Sequence, residues 1–416
     1  MQRACRSILL ILTSWLLVVV PTVDSHTPIA SRWNYNEHLF PIFRDNCGSC
    51  HRPGGIAPMS LVTYREAFPW SQSIREEVLA LRMPPWEAED GFGDFRNGHA
   101  LSAQEMDMIL EWSSGGYPQG PRSVELEEVP TIQAWTLGPP SSVLLVDEPF
   151  LIEADTSEVV RYFVLPSRLE NEQWITAVDV LPEASSVVRG VTVYIDETGT
   201  AAALDAADTD PGFSRLDDAL LSEISPIAVW SPGQRQVVRA TGTGHHLANG
   251  ADILLRVHYK KTWITEGQEF SDQLRVGLYF AEGETSSIES LIVSSPSEFQ
   301  DLNISFVHRL NEDVNLLGLL PEIDLDINDV RVVANTPDGT QIPLLFLREP
   351  DTEWPTRYWF ESPISLPAGS EILIRGSLPA AYSHEPKTSL FHSGHPSPIR
   401  ILVDYSTENS RIAQRN

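Results

Sequence analysis

A chain of 416 residues is long enough for two to three domains with well-formed cores. It carries 57 acidic side chains against 29 lysines and arginines, a net charge of -28. That balance argues against nucleic acid and anionic membranes as partners, and an interacting redox protein is expected to be basic.

Residues 1–25 hold Arg3 and Arg6, an apolar run from Ile8 to Val20, and short residues at Val23 and Ser25. This is the pattern of a secretory signal peptide. The run is short for a bilayer span, and no later stretch approaches about 18 uninterrupted apolar residues. An exported chain is therefore expected, periplasmic or otherwise extracytoplasmic, with no transmembrane segment in the mature form. Cys5 precedes the apolar run, so it is not placed as a lipobox cysteine. Cleavage after Ser25 would put His26 at the amino terminus, where a copper brace is conceivable and a frayed end is the plainer reading.

From 33 to 119 the signals are helical. Leu39, Phe40 and Phe43 share a face just ahead of Cys47-Gly48-Ser49-Cys50-His51. Thr63 with Glu66 forms a capping box, followed by Ile74, Val78 and Leu81 at helical spacing up to Arg82. Ser102 with Glu105 forms another, ahead of Met106, Ile109 and Leu110. In the pentapeptide, two thiols can each add across a vinyl group of haem while the adjacent imidazole ligates the iron. A thioredoxin-like motif would need a flanking strand and helix, and structural zinc a second ligand pair; neither is found. With Cys5 removed, both remaining thiols belong to this motif. Cys47 and Cys50 are thus assigned to one covalent haem c, and His51 to its iron. A thioether suits the second axial position. Met83, in Met83-Pro84-Pro85 between two expected helices, is preferred, with Met59 as its main rival and His99 a weaker one. Arg52, Arg75 and Arg96 are candidate propionate partners. The expected plan is a small all-α class I cytochrome c domain.

Residues 120–130 read as an acidic, proline-containing linker. Beyond it, short strand-like runs alternate with turn signals, with one helical exception at Leu216 to Ile224. That density implies β-sandwiches.

Four motifs, CGSCHRPGG, APMSL, MPPW and GFGDF at Cys47, Ala57, Met83 and Gly91, carry a resemblance. Residues 36–119 resemble the cytochrome c domain of exported bacterial proteins in which these motifs recur together. In that family the cytochrome precedes a region similar to copper type II, ascorbate-dependent monooxygenases, typified by peptidylglycine alpha-hydroxylating monooxygenase. Local matches lie at 247–261, 275–280 and 366–370. The resemblance implies two jelly-roll-like sandwich domains, at 131–284 and 285–407. It also implies copper ligands, and most are absent. Arg189-Gly190 stands for an adjacent histidine pair, His258 is followed by Lys260 where a His-x-His belongs, Glu322-Ile323-Asp324 replaces a second His-x-His, and no methionine follows Met108. A cationic side chain at a ligand position opposes a bound cation. Copper is accordingly not expected.

His245, His246 and His258 are the remaining copper candidates, with an exposed turn from Gly244 to Gly250 as the plainer reading of the adjacent pair; His384, His392 and His395 read as loop residues. The leading expectation is an exported electron-transfer protein on a non-catalytic β scaffold. The alternative is a copper monooxygenase fed by its own haem, and a haem-based sensor would need an open axial position.

Overall fold

The computed structural model describes residues 30–127 (without 97 and 99), 135–214 and 224–407 (without 235, 236, 238–241, 298, 300, 352, 353 and 381–396). The signal segment with Cys5, together with His26, His99, His384, His392, His395 and nearly all of the helix expected at Leu216 to Ile224, lies outside the described residues.

The amino-terminal elements are short because each is started by a cap and soon stopped. A π-helical turn at Tyr35–Leu39 runs into α1 (Phe40–Asn46), and Asn34 accepts from the Glu37 amide to start it. Thr63 caps α2 (Tyr64–Ala67), which Pro69 converts to a 3-10 turn before α3 (Ser71–Leu79). At α4 (Ala103–Ser114) both halves of the expected capping box form: Glu105 N donates to Ser102 Oγ at 3.2 Å and Ser102 N to Glu105 Oε2 at 2.8 Å. Tyr35, Phe43 and Trp112 are fully buried, with Phe43 5.9 Å from Tyr35 and 6.0 Å from Trp112 between ring centroids. Their polar tips find carbonyls, Tyr35 Oη on Leu61 O at 2.7 Å and Trp112 Nε1 on Pro118 O at 3.1 Å.

Two sets of sheets follow. The first comprises β1 (Ser142–Leu145), β2 (Phe150–Ile152), β3 (Glu158–Pro166), β4 (Gln173–Leu181), β5 (Val188–Asp196), a short α5 (Thr200–Asp205), β6 (Ala228–Trp230), β7 (Thr243–Leu247), β8 (Asp252–Lys260), β9 (Phe270–Asp272), β10 (Arg275–Phe280) and β11 (Ser286–Ser287). A sheet ordered β1-β10-β4-β7-β11 shares one apolar core with a sheet ordered β3-β8-β5-β6, while β2 and β9 pair beside them. Period-two alternation explains β8: Ile253, Leu255, Val257 and Tyr259 enter that core. Leu254 and Arg256 face the other way, Leu254 against Tyr162, Tyr194 and Phe213 and Arg256 Nε on Tyr162 Oη at 3.1 Å.

The second set is β12 (Glu289–Ser294), β13 (Asn303–Arg309), β14 (Val314–Ile323), β15 (Asp329–Asn335), β16 (Gln341–Arg348), β17 (Tyr358–Leu366), β18 (Glu371–Ser377) and β19 (Ile399–Ser406). Here β12-β19-β14-β17 packs with β13-β18-β15-β16 around a second core. The two sets meet at a small apolar contact of Val229, Leu320 and Leu402. A buried ion pair reinforces it: Arg357 meets Asp404 at 2.7 and 2.6 Å and donates to Pro226 O at 2.7 Å.

The expected small all-α class I cytochrome c domain is not found. The molecule is mostly β, 38 % strand against 14 % helix, so the amino-terminal helices are an addition to a β protein rather than a separate all-α domain. Residues leading from α3 to α4 show why. Ala88 bridges to Leu347 and Phe95 to Phe360, Glu89 N donates to Phe346 O at 2.9 Å, and Glu361 N to Asp94 O at 2.7 Å. Ala88 belongs to the second sandwich's core, with Trp86 and Phe95 packed against it. Helices of seven, nine and twelve residues offer too little surface to cover these apolar groups, and the rim of β16 and β17 buries them instead. A second departure is Leu81, expected on the buried face of α3: the helix stops at Leu79, and Leu81 is 57 % exposed at φ 57°. The following Pro84-Pro85 disfavours continued helix, so the chain turns first. Among the described residues no helix is long and apolar enough to cross a membrane.

Candidate functional site

The pentapeptide begins where α1 ends. Cys47 N and Gly48 N both donate to Phe43 O, at 3.0 and 2.7 Å, so the buried Phe43 anchors the loop. Cys50 N and His51 N then donate to Cys47 O at 3.1 and 2.8 Å. These bonds close one extra turn over Cys47 to His51, and positions i, i+3 and i+4 of such a turn are neighbours in space. Gly55 closes the loop: its N donates to Arg52 O at 3.0 Å, and a Cβ there would lie 2.2 Å from Cys50 O.

His51 is 9 % exposed, and its Nδ1 lies 3.2 Å from Met59 O, where it can only donate. That bond assigns the proton to Nδ1 and leaves the Nε2 lone pair as the donor to a metal. Burial lowers the imidazole's pKa, and the Met59 carbonyl opposes that shift. The neutral ring is the ligating form. Because Met59 O sits on the Nδ1 side, the Met59 backbone lies behind the imidazole, and the Met59 side chain packs against the helical core.

Cys47 and Cys50 are free and half-buried. Burial of the sulfurs pushes Cys47 up to about 12, aided by the neighbouring Cys50, and Cys50 up to about 11 despite Ser49, Arg189 and Arg52 pulling the other way. Such thiols are poor thiolate nucleophiles and poor zinc ligands. A thioether, having no proton to lose, incurs no such penalty on burial. Among the described residues no three His, Cys, Asp or Glu side chains are grouped to hold a metal ion. The donor set, two sulfurs and one oriented imidazole on a single turn, fits covalent haem.

Met83 lines an open cleft of about 620 Å³, shared with Leu101, Met106, Trp86 and Trp354. Leu101 and Met106 also pack in the helical core beside Cys47, so the cleft and the loop border the same core. Sequence reasoning gave Met106 no role beyond a helix face, and here it presents a second thioether to the cleft. It also missed what the β region contributes. Gly233, at φ 83° in the turn after β6, comes so close that a Cβ on it would stand 2.7 Å from Cys50 Sγ and 3.1 Å from Ser49 Oγ. Arg189 of β5 acts on Cys50 by charge and stacks 5.6 Å from the Trp354 ring. Of the propionate candidates, Arg52 adjoins Cys50, whereas Arg96 is committed to Phe360 O and Glu361 O at 3.1 and 2.6 Å. Arg75 lies on α3, half-buried.

The copper candidates do not converge. On β7, Leu247 enters the sandwich core, so His245 points inward with it and His246 outward. His246 meets Glu172 at 3.1 Å and Trp174 at 4.9 Å between ring centroids. His258 lies in the other sheet, on the face of β8 turned from the core, with Nε2 2.7 Å from Glu158 Oε1. Burial drives its pKa down to about 4 even though Glu158 pulls it up. Lys260 reaches the same carboxylate at 3.8 Å. Glu322 and Asp324 line a cavity between the sandwiches together with Glu87, Tyr194 and Arg400, and Glu322 pairs with Arg400 at 3.1 Å. Glu87, which borders both cavity and cleft, is pushed up to about 8 by burial, against the Asp351 amide that donates to it at 2.6 Å and with a smaller rise from the Asp351 carboxylate.

No family model and no curated protein matches the chain. Among solved structures, one of PNGF-II shows 10 % identity over 64 % of this chain and 65 % of that one, with a TM-score of 0.26, so the chain spans just under two thirds of it. A second structure of PNGF-II shows 11 % identity over 74 % and 67 %, with a TM-score of 0.24. An alpha-amino acid ester hydrolase labelled with selenomethionine shows 12 % identity over 31 % and 32 %, with a TM-score of 0.12.

Proposed function

We propose that the chain is an exported electron-transfer protein with one haem attached at Cys47 and Cys50 and ligated by His51. The observation that supports this reading is the single hydrogen-bonded turn that carries both cysteines and an imidazole whose Nδ1 is held by Met59 O. When bound, the haem supplies a ferric–ferrous couple. Cys47 and Cys50 tether it, the Met59 carbonyl fixes the tautomer and orientation of His51, and burial in the loop keeps that imidazole neutral. Met83 would give the iron its second protein ligand, because it lines the cleft, whereas Met59 gives its carbonyl to His51 and packs its side chain against the helical core. Export agrees with the features of residues 1–25, since haem is attached outside the cytoplasmic membrane.

The test is the pyridine haemochrome spectrum with intact mass of protein made where haem attachment occurs. One haem retained after denaturation is expected, and its loss in Cys47→Ser/Cys50→Ser. Mature protein of unmodified mass overturns the reading. In the loaded protein, Met83→Ala should abolish the sulfur-to-iron charge-transfer band in the red and lower the potential. If Met106→Ala does so instead, the second ligand is Met106.

A further inference from the structure

The Cys50 side of the loop is closed to outside proteins, because Gly233 of the first sandwich already lies against the sulfur. The cleft beside Met83 is open; Leu81 lines it uncovered, and Leu79 is exposed two residues before it. Leu79 is 53 % and Leu81 57 % exposed, and Leu81 sits at φ 57°, in the left-handed region that leucine seldom occupies. That turn takes Leu81 away from the buried face of Ile74 and Val78 and presents it to solvent. Around it the cleft is acidic. Asp90, Asp326, Glu349 and Asp351 are exposed along its walls. Its two guanidiniums are each taken by a carboxylate, Arg82 by Glu77 and Arg348 by Glu89, both at 2.7 Å. An apolar centre within a rim of net negative charge is the make-up of a transient docking face, where charge steers encounter and apolar contact holds it. A second copy of this chain, itself at -28, would be repelled by the same rim.

We infer that the mouth of this cleft, centred on Leu79 and Leu81 within its acidic rim, is the docking surface for a lysine-rich redox protein. The inference rests on the haem reading for its purpose, but the contact can be measured apart from it. The full chain is titrated calorimetrically with a small lysine-rich cytochrome c as the probe, and the haemochrome spectrum is recorded on the same preparation. Leu79→Ser/Leu81→Ser is expected to weaken binding about tenfold at all salt concentrations. Asp90→Asn/Glu349→Gln should weaken it about fivefold at low salt, with the difference vanishing at high salt. Unchanged affinity in both variants overturns the docking surface, as does a dimer of the chain alone that the leucine variant abolishes. A missing haemochrome signal counts against the haem reading only, because the titration reports docking with or without haem.

Discussion

Two groups of side chains with the chemistry to ligate a metal stand in this molecule, and the fold treats them oppositely. At the end of α1, two sulfurs and His51 stay together because the bonds that align them run within five residues, from Cys47 O to Cys50 N and His51 N. On the first sandwich, His245, His246 and His258 are dispersed to two sheets and both strand faces. Spacing along one helical turn determines geometry directly, whereas spacing between strands determines nothing until the pairing is known.

The comparison breaks most severely at the foundation of the loop. Trp112→Ala should cost about 3–5 kcal/mol, as truncation of a large buried aromatic does, and unfold the amino-terminal helices first. Loss of helical circular dichroism at a lower temperature than the β signal is the expected reading; a single shared transition would show that the helices and sandwiches melt as one unit. A narrower probe is Gly233→Ala, which combines a left-handed backbone with a Cβ 2.7 Å from Cys50 Sγ. About 1–3 kcal/mol of destabilisation is expected, with faster alkylation of Cys50 in the apoprotein as its neighbour is displaced. Equal alkylation rates would mean that the turn does not guard the sulfur.

The gentlest probe sharpens the other side. His258→Gln retains a donor toward Glu158 and should change stability little at neutral pH. The folded imidazole titrates near 4, below its ordinary value of 6.5, so between these values the unfolded chain binds more protons and wild-type stability falls as pH drops. His258→Gln should flatten that fall, measured by urea denaturation across the window, and leave bound metal unchanged. An unaltered slope would remove His258 from the account.

Local chemistry was the legible part of this sequence. The Ser102–Glu105 box forms with both hydrogen bonds, and short strand-like runs beyond the linker are strands in the fold. Expectation failed where the deciding partner lay far along the chain. Trp86, Ala88 and Phe95 fall within the expected all-α domain, yet the second sandwich, encoded more than two hundred residues later, provides their cover. Arg189, Gly233 and Trp354 gave no local sign that they would gather around Cys50 and the cleft. Gly233 is one of 25 glycines, and only the approach of the loop gives its missing side chain a meaning. Leu81 misled for a related reason: its helical spacing was right, but the helix ended two residues earlier.

The lacing of residues 86–96 into β16 and β17 has a practical consequence for anyone who would cut this protein apart. A fragment ending near residue 119 would carry Trp86 and Phe95 without the strands that shelter them, and a fragment starting after the linker would expose the edge those rings cover. Neither piece is a faithful surrogate for the whole, and a graft of the amino-terminal part onto another carrier must bring β16 and β17 with it.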